Sequence, residues 1–417
     1  MFDMSYLVLN YSTITTVILP FFIIGILVIY VYLKLSYGYW FYAPVFHLYD
    51  FHYYLYPKGI VEQNMPHKNK FTNLIDIKMC SFDKIQNTHL FRQFVSFINS
   101  HYMRNKFNNY TPSIQDTEPY FTNHKHPCFI SYYYRTQLLH QHTHNSVIPR
   151  KQIIGIMTTR PVQIQIKKSA SSFLKMYGYY VDYLCVHRDH RKKGIAPQQI
   201  QTHYYHQRHS NPAIHVNIFK REGELTGIVP LCVYNTYMFD LQDIVSSRKS
   251  SLPIIYKRVR CSSGNMRYFM DFMKRMGESF DITICPDLAN LLDLIKSDNY
   301  IIDYIVDTTK DNEIVSCYVY KKTCVTTEKS KNVIACVASV RSDIFDPDMF
   351  FYGFIWSLEN FFTTHQRINI ENISHNPKLY DKLIETGGPI GTSPTAYFFH
   401  NYIHSNFTPS KALIIGT

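Results

Sequence analysis

The stretch of this 417-residue chain best equipped for chemistry runs from Tyr180 to His209, YVDYLCVHRDHRKKGIAPQQIQTHYYHQRH. Its first seven residues are apolar and aromatic enough for a strand. A basic turn with one glycine follows at 187–196, and a helical stretch opens near Pro197. Proline suits a first helical position, because its missing N–H would have no partner there. A turn that opens a helix presents free backbone N–H groups and the positive end of the helix dipole. Arg188, Arg191, Lys192 and Lys193 add formal charge around it, which makes the turn an anion site. The remaining candidates are weaker. His140, His142 and His144 alternate as strand-borne metal ligands would, but their polar surroundings, QLLHQHTHNS, read as a solvated loop. His187, His190, His203, His206 and His209 read as basic surface around the anion site. Cys185 reads as a small buried side chain rather than a nucleophile.

These residues need a scaffold. Strand-like stretches cover 128–134, 151–159, 180–186, 301–307, 313–320 and 332–340, and helix-like ones cover 90–102, 197–209, 266–276 and 351–365. The mixture predicts an α/β (α+β) chain with substantial sheet. Charged residues at 18% against 46% hydrophobic exclude a disordered polyelectrolyte. Nine cysteines without a C-x-x-C pair exclude a disulfide scaffold and a zinc ribbon. The net charge of +12 asks for an anionic partner. No RNP, zinc-finger or basic-helix pattern is present, so the expected partners are a phosphorylated cofactor and an anionic lipid leaflet, not nucleic acid.

Residues 14–33, ITTVILPFFIIGILVIYVYL, carry no charge. That length matches the roughly 30 Å hydrocarbon layer of a bilayer and predicts one transmembrane helix. Residues 1–13 hold no Lys or Arg, whereas Lys34 and Lys58 follow the apolar run, which places 34–417 on the cytosolic side. A Ser-rich stretch at 241–255 divides the remainder into halves, 34–240 and 241–417. Both halves show a coarse order of helix, strands, helix, which hints at duplication.

Arg191-Lys192-Lys193-Gly194-Ile195-Ala196 reads R-x-x-G-x-A and resembles the pyrophosphate-binding signature of acyl-CoA transferases with the N-acetyltransferase (GNAT) fold. Tyr183-Leu184-Cys185-Val186-His187, then Arg191, then Ile195-Ala196-Pro197, resembles the F-L-C-V-H…R…V-A-P signature of the N-myristoyltransferases. Tyr37-Gly38-Tyr39-Trp40, followed by Ala43-Pro44-Val45 and Leu48, is similar to that family's Y-x-F-W…Q-P-V-P-x-L segment, which binds the coenzyme A end of the donor. The end of the chain, GPIGTSPTAYFFHNY (388–402) and SKALIIGT (410–417), resembles the family's last strands and apolar C-terminus.

The resemblance covers nearly all of 37–417. It implies two GNAT-like halves packed through a continuous sheet. It also implies myristoyl-CoA as co-substrate, no metal, and transfer to an N-terminal glycine or another protein amine. The implied donor-binding residues are Tyr37, Gly38, Tyr39 and Trp40, then Tyr183, Leu184, Cys185 and Val186, and finally Arg191, Lys192, Lys193, Gly194, Ile195, Ala196 and Pro197. By the same resemblance the amides of Tyr183 and Leu184 form an oxyanion hole, and the terminal carboxylate of Thr417 is the general base. One oxyanion donor is typically worth ~2.7–4 kcal/mol. A carboxylate desolvated in an apolar tail gains the proton affinity a base needs. Three departures weaken the acceptor half of the resemblance. The family's G-x-G-D-G turn is Pro389-Ile390-Gly391-Thr392-Ser393 here, its serine in 331–340 is Cys336, and its YTAG segment is Asn217-Ile218-Phe219-Lys220. The alternatives are a non-catalytic membrane scaffold that keeps acyl-CoA binding, or a transferase for another chain or acceptor.

Overall fold

The computed structural model describes residues 19–416, apart from 58, 104–107, 142–145, 170–171, 224–226, 247–250 and 328–330. The first half carries β1 (Gly59–Ile60), β2 (Ile77–Ser81), β3 (Asn108–Tyr110), β4 (Phe129–Gln141), β5 (Ser146–Ser169), β6 (Ser172–Val186), β7 (Val216–Glu222) and β8 (Cys232–Asp240). The second carries β9 (Tyr256–Arg260), β10 (Ile282–Cys285), β11 (Tyr300–Asp307), β12 (Glu313–Thr327), β13 (Lys331–Arg341), β14 (Arg367–Glu371), β15 (Gly391–His400), β16 (Tyr402–Ile403) and β17 (Ala412–Ile414). The helices are α1 (Leu19–Tyr37), α2 (Phe51–Leu55), α3 (His89–His101), α4 (Ile114–Thr117), α5 (Ile195–Ser210), α6 (Leu241–Ser246), α7 (Met266–Gly277), α8 (Leu288–Lys296), α9 (Pro347–Leu358) and α10 (Asn376–Thr386).

Fifteen strands join in one sheet, along the path β17-β10-β5-β6-β7-β15-β8-β14-β13-β12-β11-β9 with β2, β3 and β4 beside it. The halves are interlocked. β15 from the second half lies between β7 and β8 of the first, and β10 pairs with β5. Each half repeats one order: three antiparallel strands, a crossover helix, then a parallel strand. In the first this is β4-β5-β6, α5 and β7; in the second it is β11-β12-β13, α9 and β14. The mixed α/β fold with a continuous sheet agrees with the sequence-based expectation. One apolar core crosses the halves, with Phe94, Ile130 and Ile156 against Leu294, Ile302 and Leu413. Fully burying such a side chain stabilises the fold by about 1.5–3 kcal/mol, so Leu413 and Ile415 hold the last strand firmly.

Several boundaries differ from expectation for local reasons. Helix α1 runs from Leu19 to Tyr37 with no buried residue; it is long and apolar enough to cross a bilayer, while 14–18 lie outside the described residues. The expected helix at 351–365 begins at Pro347, where the Asp346 side chain accepts from the amides of Asp348 and Met349, and ends at Leu358, followed by a 3₁₀ turn at 359–361. The stretch 241–246, expected within a linker, is helix α6 with Leu241 and Ile244 buried. Of the histidine run 140–144, expected as a loop, His140 instead lies within β4, paired with Val147, and 142–145 lie outside the described residues.

Helix α5 departs most. Its inner face is polar: Gln199, Thr202, His203 and Gln207 are fully buried. Each makes at least one hydrogen bond to the sheet or nearby, although Oε1 of Gln199 and of Gln207 has no partner among the described residues. Gln199 donates to Ser131 Oγ at 2.6 Å and Gln207 to Asn217 Oδ1 at 2.7 Å. His203, expected as basic surface, sits between Ser131 Oγ (2.7 Å) and Thr159 Oγ1 (2.8 Å), and burial pushes its pKa down to about 3. It is a neutral hydrogen-bonded core residue.

Candidate active site

The basic turn folds as strand, turn and helix. β6 ends at Val186, a 3₁₀ turn spans 188–190, and α5 starts at Ile195. Gly194 is the N-cap in a left-handed conformation (φ +74°) and has no side chain to fill the helix end. The first amides of α5 therefore remain available to a ligand, apart from Pro197, which stands at the third helical position instead of the first. A cavity of about 560 Å³ lies here, lined by Leu184, Cys185, Val186, Arg191, Lys192 and 194–197, with Tyr102 and His190 at its sides. The arginines also have a structural duty that the sequence did not reveal. Arg188 donates to Ser100 O at 3.0 Å and Arg191 to His101 O at 2.6 Å, so both cap the C-terminal end of α3. Lys193 bonds Asp189 O at 2.7 Å.

The strand feeding the turn opens a second space. β6 pairs with β7 only over Gly178–Val181, opposite Val216–Phe219. Beyond Val181 the two strands diverge, and a cavity of about 320 Å³ lies beside Val181, Asp182, Leu184, Ile200, Asn217 and Phe219. Trp40 forms part of its wall and stacks on Phe219 (5.6 Å, 14°), which stacks in turn on Phe398 (5.1 Å, 14°). A mostly apolar slot, with Lys220, Arg221 and His400 also on its wall, suits a chain of methylenes ending in a polar group.

A third cavity, about 500 Å³, adjoins the second among Tyr183, Asp116, Lys220, Glu222, Lys321, Lys322 and Glu371. Its charges are largely paired. Lys220 meets Glu371 at 2.8 Å and Lys322 meets Asp116 at 2.6 Å. Glu371 also accepts from the Tyr234 hydroxyl. Burial, reinforced by the nearby Lys220 charge, lowers Lys321 to about 8. Tyr102 borders all three cavities, Leu184 the first two, and Asp182 the second and third. The three spaces therefore meet at residues 182–184, across a bulge in the β5–β6 ladder between Met157 and Thr159.

The structure brings Trp40 to the same cavity as Leu184, while residues within 185–197 line the neighbouring one, and the rest of the 37–40 segment lies elsewhere. Tyr39 is buried in a cluster with Ala43, Val45 and Phe398. Tyr37 ends α1 and packs on His47 and Tyr49, with Gly227 beside it. Gly38 turns the chain with φ +55°. Cys185 is buried and its thiol is pushed up to about 12 by burial, as a packing residue and not a thiolate. Of the expected oxyanion donors, the Tyr183 amide donates to Thr158 Oγ1 at 3.1 Å in this structure. Thr417 lies outside the described residues. Gly416 is described, and its carbonyl accepts from Arg160 Nη2. Cys336 is fully buried in the second half's core. Arg160, Asp182 and Glu371 were not singled out from the sequence, and Lys220 was named only as the end of the segment that stands for YTAG. At Asp182 the one signal was a lone charge inside an apolar stretch, YGYYVDYLCV.

This architecture defines a class: a mixed α/β protein whose parallel strands splay beside a glycine-opened helix. No known family profile and no curated protein sequence matches the chain. Solved structures do. Saccharomyces cerevisiae N-myristoyltransferase with bound myristoyl-CoA superposes at TM-score 0.65 over 89% of this chain and 94% of that one, at 12% identity. The same yeast enzyme with myristoyl-CoA and inhibitors gives TM-score 0.66 over 92% and 96%, at 13% identity. The chain has the N-myristoyltransferase fold.

Proposed function

We propose that this protein is an acyl-CoA-dependent N-acyltransferase. It moves a long acyl chain, myristoyl by resemblance, from coenzyme A to an N-terminal glycine or other protein amine at a membrane surface. The observation that carries this reading is the meeting of the three cavities at residues 182–184. Donor phosphates would sit on the α5 amides near Arg191, Lys192 and Gly194. The acyl chain would enter the slot between β6 and β7 beside Trp40. The acceptor would approach through the charged cavity, formed with residues of 241–417. The myristoyl-CoA held by the yeast enzyme on the same fold supports this assignment. Helix α1 supports an anchor, with 34–417 on the cytosolic side.

In the reaction the amine nitrogen attacks the thioester carbon and the C–S bond breaks. Coenzyme A leaves as its thiolate, and the amine's proton passes to the Thr417 carboxylate. The Tyr183 and Leu184 amides would carry the charge on the thioester oxygen, Tyr183 exchanging its bond to Thr158 for one to that oxygen. The test is incubation of the full chain with labelled myristoyl-CoA and peptides that start with glycine. Labelled peptide is the expected product. Saturable acyl-CoA binding without product would favour the scaffold alternative, and no binding would defeat the reading. One glycine added after Thr417 displaces the carboxylate by up to ~3.6 Å of chain. Acyl-CoA affinity should survive, while the rate at neutral pH should fall by about 10²-fold. It should partly recover at high pH, where the amine deprotonates unaided.

A further inference from the structure

We propose that Arg160 is a positioning residue for the transfer: it ties the C-terminal segment to Asp182, beside the amides of Tyr183 and Leu184. The chemical consequence rests on the acyl-transfer reading above; the tie itself does not. Arg160 lies on β5 and is fully buried. An arginine in such a place is costly unless its charge is paired; here Nε and Nη2 are filled, while Nη1 has no hydrogen-bond partner among the described residues. Its Nε donates to both carboxylate oxygens of Asp182 at 2.9 Å, and its Nη2 donates to the carbonyl of Gly416. The guanidinium also lies over the rings of Tyr120 and Tyr180, at 5.4 and 5.3 Å. A planar fork fixes the directions of both partners at once, which a lysine ammonium cannot do.

The C-terminal segment arrives at this fork constrained from other sides. β17 runs parallel to β10, and the Ile415 amide donates to Ile284 O at 2.9 Å. Gly416 has φ +76°, and a Cβ there would stand 2.6 Å from Pro286 Cδ, so only glycine makes the turn toward Arg160. Asp182 borders both the acyl slot and the charged cavity. One guanidinium therefore sets where Gly416 lies relative to the point at which donor and acceptor would meet. The proposed base belongs to the residue after Gly416, which is why the tie bears on the transfer.

The test uses the full chain and two readouts, trimming by a carboxypeptidase and steady-state transfer from labelled myristoyl-CoA. Wild type should resist trimming. Arg160→Met should be trimmed faster and should lose about 10²-fold in kcat, the scale of a small misplacement in a preorganised site. Its KM for acyl-CoA should stay within about twofold, and Arg160→Lys should recover only part of kcat, since it restores the charge but not the fork. Unchanged trimming and unchanged kcat in Arg160→Met would overturn the proposal, as would kcat and acyl-CoA affinity falling together. If Arg160→Met does not fold, Asp182→Asn decides. It keeps the side chain's shape and an acceptor oxygen while removing the charge that orients Arg160. Faster trimming with lower kcat then supports the proposal, and no change in either overturns it. A wild type without transferase activity, whose C-terminus is nevertheless released in these variants, would retain the tie and sink the functional reading alone.

Discussion

The two crossovers of the sheet are built to one plan and finished in opposite ways. At β6–α5–β7 the helix starts at Gly194, which offers no side chain to its amides. At β13–α9–β14 it starts at Asp346, whose carboxylate accepts from Asp348 and Met349 at 2.8 and 3.0 Å. Both parallel pairs are four residues long, Gly178–Val181 in the first and Val333–Cys336 in the second. Both first strands then continue beyond their partners. In the second half the gap is plugged: Ser374 Oγ accepts from the Ser339 amide at 3.1 Å, and His375 Nδ1 from the Arg341 amide at 2.8 Å. In the first half the corresponding gap is the slot lined by Leu184, Phe219 and Trp40. One unit thus leaves helix end and strand gap open, as the proposed donor site requires, and the other fills both and packs.

The comparison can be broken at the helix starts. Gly194→Asp places a carboxylate on the open amides and forces a non-glycine residue to φ +74°. Acyl-CoA affinity should fall by about 100-fold, or roughly 2.7 kcal/mol, by titration. Lys192→Glu is exposed and milder; an affinity loss of about 10-fold, shrinking as salt is raised, is expected from a screened surface charge. The mirror change, Asp346→Ala, should cost about 1 kcal/mol of stability through the lost cap and leave acyl-CoA affinity untouched. If Asp346→Ala weakened the donor, the division of labour between the crossovers would be wrong. The smallest effect belongs to Cys185→Ala, with kcat expected within about twofold of wild type if its role is packing. Because burial holds that thiol at about 12, its alkylation should be slow at pH 8 and accelerate only as pH rises toward that value.

The open crossover was legible because its determinants are local. An apolar strand, one glycine and a run of basic residues lie within 180–197, so the order of strand, turn and helix could be read directly. The plugged crossover was not, since its plug depends on Ser374 and His375 reaching a strand 34–35 positions earlier. The same reason hid Arg160, whose partners lie 22 and 256 positions away. His203 was misread because a helix seated on a sheet by hydrogen bonds shows no apolar stripe; polar composition then reads as surface. Of the Tyr37–Trp40 segment, only Trp40 reaches the cavity, because Tyr39 fills a small core of its own.

The central claim is that one ligand occupies the open helix end and the open gap together. The most direct measurement is titration of the full chain, held in lipid nanodiscs, with a non-hydrolysable thioether analogue of myristoyl-CoA, against coenzyme A and myristate separately. Saturable binding of one analogue per chain is predicted, tighter than either fragment by at least about 10²-fold, since the two half-sites are engaged at once. An analogue that binds no better than myristate alone, or not saturably, would contradict the account.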